Sequence, residues 1–338
     1  MKVKRTMKKI AVVGEEAEDT LAWHIHYTLE KMSYQAKIFE PSGGLEKYFI
    51  SAQNRFYLSR ISQKYEEHIF KNLSRQIIDY EPTLVIVILR NIPPYVIDSI
   101  KKASNVKIVF WTGDGMVNLQ RQYALITKYD AWFVKDRYMY DFMRSKLRLN
   151  VHLLPECCNP YVQKPPSKTA FGSKYDVSVV GTLYPYRANI LDQLIADDIT
   201  VDIFGAMPNW IGAKWKQRHA HQYVVLDKKN EVFYGSKINL NTIFYGDIDA
   251  GNCRLFEVAG AGGFQICDRK EAIKNYFVED EEIVFFDTAD ELIKKIKYYL
   301  EHQDEAEAIA KRGHERALKE HRYEDRINKI FEIIGFDR

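Results

Sequence analysis

The stretch Asn252-Cys-Arg-Leu-Phe-Glu-Val-Ala-Gly-Ala-Gly-Gly-Phe-Gln-Ile-Cys-Asp268 decides the fold, because it passes from a polar turn through a short helix into a buried strand. Arg254 and Glu257 stand three residues apart and therefore share one face of the predicted helix. Gly262 and Gly263 end that helix before the apolar strand begins. A helix start beside a sheet favours an anion, since its N–H groups and the positive end of its dipole face the ligand.

Outward from this stretch, apolar runs of strand length alternate with amphipathic segments along the whole chain. Several runs are apolar throughout, as strands covered by helices on both faces must be. The pattern predicts an α/β protein with parallel, doubly wound sheets. We expect strands at 9–14, 36–39, 84–89, 106–111, 131–134 and 151–154, and again at 176–180, 201–204, 238–243, 264–267 and 283–286. Helices are expected at 19–32, 63–80, 94–103, 138–146 and 323–334.

A proline-rich segment divides the chain. Four prolines lie between residues 155 and 166 in a polar stretch that ends near Ser173, which is typical of a linker. A chain of 338 residues is long enough for two domains of ordinary size. We therefore predict a first domain at 1–160, a second at 161–320 and a terminal helix at 321–338.

Composition limits the possible partners. The net charge of +3 indicates no strong polyanion-binding field, so no nucleic-acid partner is expected. Basic residues gather from Lys2 to Lys9 and from Lys214 to Arg218, and each cluster predicts either peripheral contact with an anionic membrane surface or a solvated face. No apolar run approaches the ~20 residues that span a bilayer, and no secretion signal is visible. We expect a cytoplasmic protein, with peripheral contact at the inner membrane face as an alternative.

The Arg254 and Glu257 pair has two interpretations. Glu257 suits a neighbouring hydroxyl pair, because its carboxylate can accept hydrogen bonds from a ribose while Arg254 and the helix start face a diphosphate. The pair then forms a nucleotide clamp. The alternative is an ordinary surface pair on a short helix, worth only about 0.3–0.5 kcal/mol.

Two segments carry a resemblance to a known family. Ser236-Lys-Ile-Asn-Leu-Asn241 and the stretch from Asn252 to Gly263, followed by Asp268 and Glu271, resemble the donor-binding half of CgeB-like, spore-maturation-type glycosyltransferases. These are similar to the GT-B superfamily, with a C-terminal domain of the glycosyl transferases group 1 type. The turn Val179-Val-Gly-Thr-Leu-Tyr-Pro-Tyr-Arg187 resembles the glycine turn that opens the family's second domain.

The resemblance implies a fold and an activity. It implies two Rossmann-like domains facing across a cleft, with the C-terminal helix packing back on the first domain. The expected activity is metal-independent transfer of a hexosyl or related sugar from a nucleotide-diphosphate sugar to an acceptor hydroxyl. The acceptor would be a glycan, a glycoconjugate or a small molecule, and the role would lie in polysaccharide or glycoconjugate biosynthesis.

The family also places two acidic residues with seven residues between them, the second on the donor ribose and the first often facing the sugar. Glu257 matches the second position and Asp249 falls at the first, where glutamate is commoner. Asp247-Ile-Asp249 matches the sequence pattern of a D-x-D metal signature, but the surrounding motif assigns it to the turn before the Arg254 helix. We therefore expect no metal and no cofactor beyond the donor substrate.

Transfer of a sugar requires that the charge of the leaving diphosphate be stabilised. Arg187 and Arg254 are the predicted cations, helped by the backbone N–H groups of Gly181 and Thr182 after a strand. Asn252 lies at the start of the donor helix and completes the predicted donor site.

The predicted catalytic bases, Glu15 and Asp114, follow strands of the first domain, where ligands of such sheets collect. Asp114 could instead cap a helix that starts near Met116. The segment 43–63 is rich in aromatic residues and arginine, which predicts either an acceptor groove or a packed helical insertion.

Two rival functions remain open from the sequence. A nucleotide-sugar 2-epimerase of the same fold would also need a nucleotide clamp. A catalytically silent nucleotide-sugar-binding protein would bind the donor without transfer or hydrolysis.

Overall fold

The computed structural model describes residues 7–42, 49–89, 91–115, 123–206, 208 and 220–337. The chain divides into two compact units. The first comprises the residues up to Lys135, Met139–Leu154 and the segment from Ile327 onward, and the second comprises Asp136–Tyr138 and Pro155–Arg326. Most of the predicted basic cluster at the N-terminus and all of the cluster at 214–218 lie outside the described residues.

The first unit is built on a parallel sheet of six described strands in the order β2-β1-β3-β4-β5-β6. The central strands are buried apart from the lysines that begin β1 and β4, as their continuous apolar sequence predicts. The strands are β1 Lys9–Val13, β2 Gln35–Phe39, β3 Leu84–Val87, β4 Lys107–Thr112, β5 Ala131–Val134 and β6 Val151–Leu153.

Helices cover the first sheet: α1 Leu21–Lys31, α2 Ala52–Ile61, α3 Gln63–Tyr80, α4 Pro94–Ala103 and α5 Arg137–Ser145. α3 shows why these segments are helical, since Ile69, Phe70, Leu73 and Ile77 recur at helical spacing and are buried against the sheet. α4 begins with Pro94, whose missing N–H costs nothing in a first turn.

The second unit contains a parallel sheet of six described strands in the order β12-β11-β10-β7-β8-β9. β10 lies between β7 and β11, so its carboxyl end stands at the centre of the sheet edge. The strands are β7 Tyr175–Val180, β8 Val201–Phe204, β9 Ala220–His221, β10 Ser236–Asn241, β11 Gln265–Asp268 and β12 Val284–Phe286. The two-residue β9 is too short to show any period in the sequence, and it was not predicted.

The described helices after β7 are α6 Pro185–Ala196, α7 Leu226–Gly235, α8 Cys253–Gly260, α9 Ala289–Glu301, α10 Gln303–Glu320 and α11 Tyr323–Ile334. The sequence predicts a charged stretch where α10 lies, and the structure shows a helix whose narrow buried face is made of alanine, isoleucine and glycine. From Ile327 onward the C-terminal segment belongs to the first unit, where the ring of Phe331 lies 5.3 Å from that of Tyr34. The predicted packing of this helix on the first domain is confirmed.

The predicted fold class is confirmed as two parallel-sheet, Rossmann-like α/β domains. Within the described part of the chain, every helix is too short or too polar to cross a lipid bilayer.

Candidate functional site

The carboxyl edge of the second sheet is where ligands of such folds bind. β7 ends at Val180 and is followed by Gly181, whose φ of +127° is rarely adopted by residues with a side chain. The Gly181 N–H donates to the carbonyl oxygen of Phe204 at 2.8 Å. Gly205 follows Phe204, and a Cβ on Gly205 would stand 2.2 Å from the Gly181 oxygen. The Gly181 carbonyl therefore approaches the end of β8 this closely only because residue 205 is glycine.

Arg187 lies in the first turn of α6 and is 5% exposed. Its Nε donates to Thr242 Oγ1 at 2.7 Å and its Nη2 to the Thr242 carbonyl at 2.9 Å, while Nη1 donates to the Thr182 carbonyl at 2.7 Å. The guanidinium thus ties the loop after β10 to the turn after β7. Burial lowers the pKa of Arg187, and the nearby charge of Arg254 lowers it further, although Tyr184 acts in the opposite direction.

A second guanidinium reaches the same turn. Arg254 donates from Nε to the carbonyl oxygen of Val180 at 2.9 Å, and from Nη1 to the carboxylate of Glu257. A Cβ built on Gly181 would lie 3.2 Å from Nη1 of Arg187 and 3.7 Å from Nη2 of Arg254. Two arginines therefore converge on one glycine turn, and their charges favour an anion there.

The start of α8 is held by a network of amides. Asn252 caps the helix, since its side-chain oxygen accepts from Leu255 N at 3.1 Å. The same side chain donates to the oxygen of Asn241 at 2.8 Å, and Asn241 donates to Gln265 at 3.3 Å. Gln265 in turn donates to the Leu255 carbonyl at 2.8 Å. Side chains of β10 and β11 thus fix the N-terminus of α8, with its dipole, at the edge of the sheet.

Glu257 is 4% exposed, and side chains of three described residues donate to it. Lys229 Nζ lies 2.9 Å from Oε1, Gln163 Nε2 lies 3.4 Å from the same oxygen, and Arg254 donates to Oε2. The alternative of an ordinary surface pair is wrong, because the carboxylate is buried. A buried carboxylate with two cations is more typical of a site than of a solvated helix face.

Sequence reasoning did not identify Lys229 or Gln163. Lys229 is 2% exposed and lies on α7, with Val232 and Phe233 on the same buried face at spacings of three and four residues. That spacing was a usable signal, because a lysine on the apolar face of a helix needs a buried partner. Gln163 lies in an irregular segment and offered no such signal.

Asp249 and Thr182 have structural contacts near this edge. Asp249 Oδ1 accepts from Ala272 N at 2.8 Å, at the start of the short helical segment Glu271–Asn275. Thr182 is exposed, and its carbonyl accepts the Arg187 bond described above. Their roles in donor binding stay predictions.

In the first unit, Glu15 follows β1 at the carboxyl edge of the sheet and is exposed. It lines a cavity of about 100 Å³ together with Glu40 and Arg55. Arg55 is 7% exposed and donates to Glu40 Oε1 at 2.6 Å and to the carbonyl of Ile50 at 2.7 Å. A cavity lined by both charged and apolar residues thus includes Glu15, whose role as a base stays a prediction.

Asp114 follows β4, which β3 separates from β1 in the sheet. It is exposed, and its backbone N–H donates to Thr112 Oγ1 at 3.1 Å. The alternative helix start near Met116 lies outside the described residues. The role of Asp114 as a base stays a prediction.

Residues 43–48 of the predicted acceptor segment also lie outside the described residues. The described remainder includes α2, as a helical insertion predicts. Ser59 of α2 lines both the cavity beside Glu15 and a neighbouring cleft of about 650 Å³, which Tyr95 and Tyr123 also line. The described part of this segment therefore forms a helix that lines a cleft, and acceptor binding there stays a prediction.

Comparison with known proteins places this geometry in context. Residues 187–332 match the family model described as "Glycosyl transferase-like". The chain contains a glycosyl transferase-like domain. The matched region includes Arg187, Arg254, Glu257 and Lys229. No curated protein matches the sequence.

Solved structures resemble the whole chain. A sucrose-phosphate synthase from Thermosynechococcus elongatus has a TM-score of 0.69 at 12% identity, covering 97% of this chain and 98% of its own. A glycosyltransferase from Rickettsia africae has a TM-score of 0.66 at 11% identity, with 98% of both chains covered. HepE from Anabaena, in complex with UDP and glucose, has a TM-score of 0.65 at 9% identity, covering 97% of this chain and 99% of its own. At these identities the likeness shows the fold, which is the GT-B fold predicted from the sequence.

Proposed function

We propose that the protein transfers a sugar from a nucleotide-diphosphate sugar to an acceptor hydroxyl. The observation that carries this proposal is the convergence of Arg187 and Arg254 on the Gly181 turn, beside the buried carboxylate of Glu257, in a glycosyl transferase-like domain. The CgeB-like subtype, a hexosyl donor and a role in polysaccharide or glycoconjugate biosynthesis are the finer assignments that we propose with it.

The donor's diphosphate would lie between the Gly181 turn and the start of α8. Both follow strands of one sheet, and both supply an arginine. The start of α8 adds N–H groups, whereas the predicted contribution of the Gly181 N–H is wrong, because that group already donates to the Phe204 carbonyl. The ribose would then reach Glu257. The ribose hydroxyls must then share the Glu257 carboxylate with the side chains that already donate to it. The 3.4 Å hydrogen bond from Gln163 is the weakest of these by distance and the most readily replaced. The complex of HepE with UDP and glucose supports a nucleotide-sugar ligand for this fold.

In the reaction, the bond between the sugar C1 and the diphosphate oxygen breaks, and the leaving nucleoside diphosphate keeps the electron pair. The acceptor oxygen bonds to C1, and its proton passes to a carboxylate. Two guanidinia and a helix dipole at the diphosphate would stabilise the developing charge without a metal ion. We therefore propose metal-independent transfer.

The acceptor would bind the first domain, where Glu15 lines the cavity next to Arg55. Glu15 is the base that we favour, with Asp114 as the second candidate. We further propose a cytoplasmic enzyme, with peripheral contact to the inner membrane face as the alternative, and a glycan, glycoconjugate or small molecule as acceptor.

A panel of nucleotide sugars in a thermal-shift assay tests the proposal first, because a ligand that binds only the folded protein raises Tm. The donor that stabilises most is then incubated with candidate acceptors and the products are analysed. Transfer that requires an acceptor supports the proposal. Turnover of donor alone to an epimer would show the 2-epimerase, and binding without turnover in any acceptor mixture would show a silent binding protein.

The base is tested by comparing Glu15→Ala, Asp114→Ala and the double variant. General base catalysis contributes typically 10²–10⁴-fold, so loss of the base should lower kcat by about that factor while donor affinity stays constant. Full activity in the double variant would refute both assignments.

A further inference from the structure

The ammonium of Lys229 is buried more completely than any other charge at the donor edge described above. The residue is 2% exposed, and its Nζ lies 2.9 Å from Oε1 of Glu257, which is 4% exposed. A charge taken out of water is costly unless it is paired, and removing one partner leaves the other charge uncompensated. Such a pair persists only where the fold or the function requires it.

The contacts around the pair have a consistent geometry. Oε1 of Glu257 is held from outside α8, by Lys229 of α7 and by Gln163. Gln163 is itself held, since its Oε1 accepts from Asn159 N at 2.6 Å. Beside Lys229, Asn230 donates to the carbonyl of Val162 at 2.6 Å and ties α7 to the same segment. One oxygen of Glu257 is thus held by two residues outside its own helix, more closely by Lys229 than by Gln163.

The other oxygen, Oε2, receives Arg254 of the same helix. The Arg254 side chain is 19% exposed, and its Nη2 lies toward the Gly181 turn. Arg254 therefore stands between the carboxylate and the proposed diphosphate site, whereas Lys229 is buried on a different helix, α7. A bound diphosphate would compete with Glu257 for Arg254, and would leave Lys229 as the cation that compensates the carboxylate.

We infer that Lys229 is a positioning residue of the nucleotide clamp, which holds Glu257 ionised and in one orientation so that its remaining acceptor capacity meets the ribose hydroxyls. The inference rests on the proposed function, because it takes Glu257 to be the ribose ligand. It adds a residue on α7, outside the donor motif, whose charge determines how strongly the protein distinguishes ribose from deoxyribose.

The test compares matched ligands on the full-length chain. Affinities are measured by calorimetry for UDP and 2′-deoxy-UDP, and for the corresponding ADP and GDP pairs, and the pair that binds best is carried forward. A hydrogen bond to a charged group corresponds to about 10–100-fold in affinity, so wild type should prefer the ribonucleotide by roughly that factor. Lys229→Met should reduce the preference to less than about threefold at pH 6.

The pH profile separates positioning from simple structural damage. Without the ammonium, the buried Glu257 carboxyl takes up a proton more easily, because it loses the cation that lies 2.9 Å from its Oε1. The preference for ribose in Lys229→Met should therefore be weak at pH 6 and recover toward pH 9, while that of wild type stays flat. Lys229→Arg keeps the charge and should restore a flat profile.

Lys237→Met is the matched control, since Lys237 pairs with Asp176 at 2.6 Å in the same unit but both side chains are substantially exposed. It should leave the preference unchanged. If Lys229→Met does not fold, Lys229→Gln carries the test, because its amide can still donate to Glu257 but has no charge, and the same pH dependence is expected.

The outcomes separate the two claims. If wild type binds a ribonucleotide and its deoxy form equally, Glu257 is not the ribose ligand, and that part of the proposed function fails. If wild type discriminates and a folded, uncharged Lys229 variant keeps the full preference with a flat pH profile, the inference about Lys229 is overturned.

Discussion

Replacing Gly205 with alanine perturbs the Gly181 turn without touching any charged group. The new Cβ would stand 2.2 Å from the carbonyl oxygen and 2.6 Å from the carbonyl carbon of Gly181, whereas real Cβ contacts stay above 3.0 Å. Both partners are backbone, and the bond from Gly181 N to Phe204 O ties them together. The turn must therefore move by about 1 Å, a displacement that can cost on the order of 10² in rate when it misplaces a binding group.

We accordingly expect Gly205→Ala to weaken donor affinity by about 100-fold, which is about 2.7 kcal/mol. Overpacking should also lower the free energy of unfolding by about 1–3 kcal/mol. Calorimetry with the best-binding nucleoside diphosphate measures the first effect, and circular dichroism confirms that the titrated protein is folded.

The control is Gly313→Ala on α10, in the same unit. Its Cβ would lie 2.5 Å from the carbonyl oxygen of Glu282, so the backbone clash is comparable but involves neither Gly181 nor Gly205. It should reduce stability and leave donor affinity unchanged. Wild-type affinity in a folded Gly205→Ala, or an equal loss in Gly313→Ala, would refute the reasoning that the Gly181 turn holds the diphosphate.

Three further changes test other parts of the second unit. Glu257→Gln should destabilise the fold by about 3–5 kcal/mol as well as weaken donor binding, because it leaves Lys229 buried beside a neutral group. Hydrogen exchange of α7 and α8 measures the loss of stability. Wild-type protection in the variant would contradict the prediction. Arg254→Ala should lower kcat/KM for transfer strongly and stability only slightly, since the Arg254 side chain is partly exposed beside the Gly181 turn. An unchanged kcat/KM with a reduced Tm would count against its role on the diphosphate. Burial lowers the pKa of His321 to about 4, with the adjacent Arg326 acting in the same direction, against 6.5 for an unperturbed histidine. Protonation of His321 therefore favours the unfolded chain. The free energy of unfolding present above pH 6.5 should fall by on the order of 3 kcal/mol as the pH drops to 4, and His321→Gln should largely remove this fall. An equal pH dependence of stability in both proteins would contradict the prediction.

Most elements could be predicted because their signals are local. α3 and α4 have the bounds expected from apolar spacing and from Pro94, and β8 lies where its apolar run stands. β10 begins and ends two residues earlier than predicted, because Ser236 and Lys237 belong to the strand and Thr242 and Ile243 lie beyond its end. The apolar pattern could not reveal a strand that starts with a serine and a lysine.

The candidate site was predicted in part. Its glycine turn, both arginines and Glu257 could be named from a motif, since their types and spacing are visible in the sequence. The burial of Glu257 could not be predicted. Its partners Lys229 and Gln163 stand 28 and 94 residues away along the chain, and no local period relates them.

The sequence by itself determined two parallel α/β domains and the donor motif, because strand burial, helix faces and glycine turns each depend on residues that lie close together along the chain. Only the tertiary structure decided which charges meet in the interior. It shows that the predicted surface pair is a buried carboxylate held by two cations. It also places Gly205 so close to Gly181 that a Cβ on residue 205 would lie 2.2 Å from the Gly181 oxygen. Such contacts depend on how separate segments pack across a sheet edge, and the free energy of burying a charge is determined by those neighbours rather than by the residue itself.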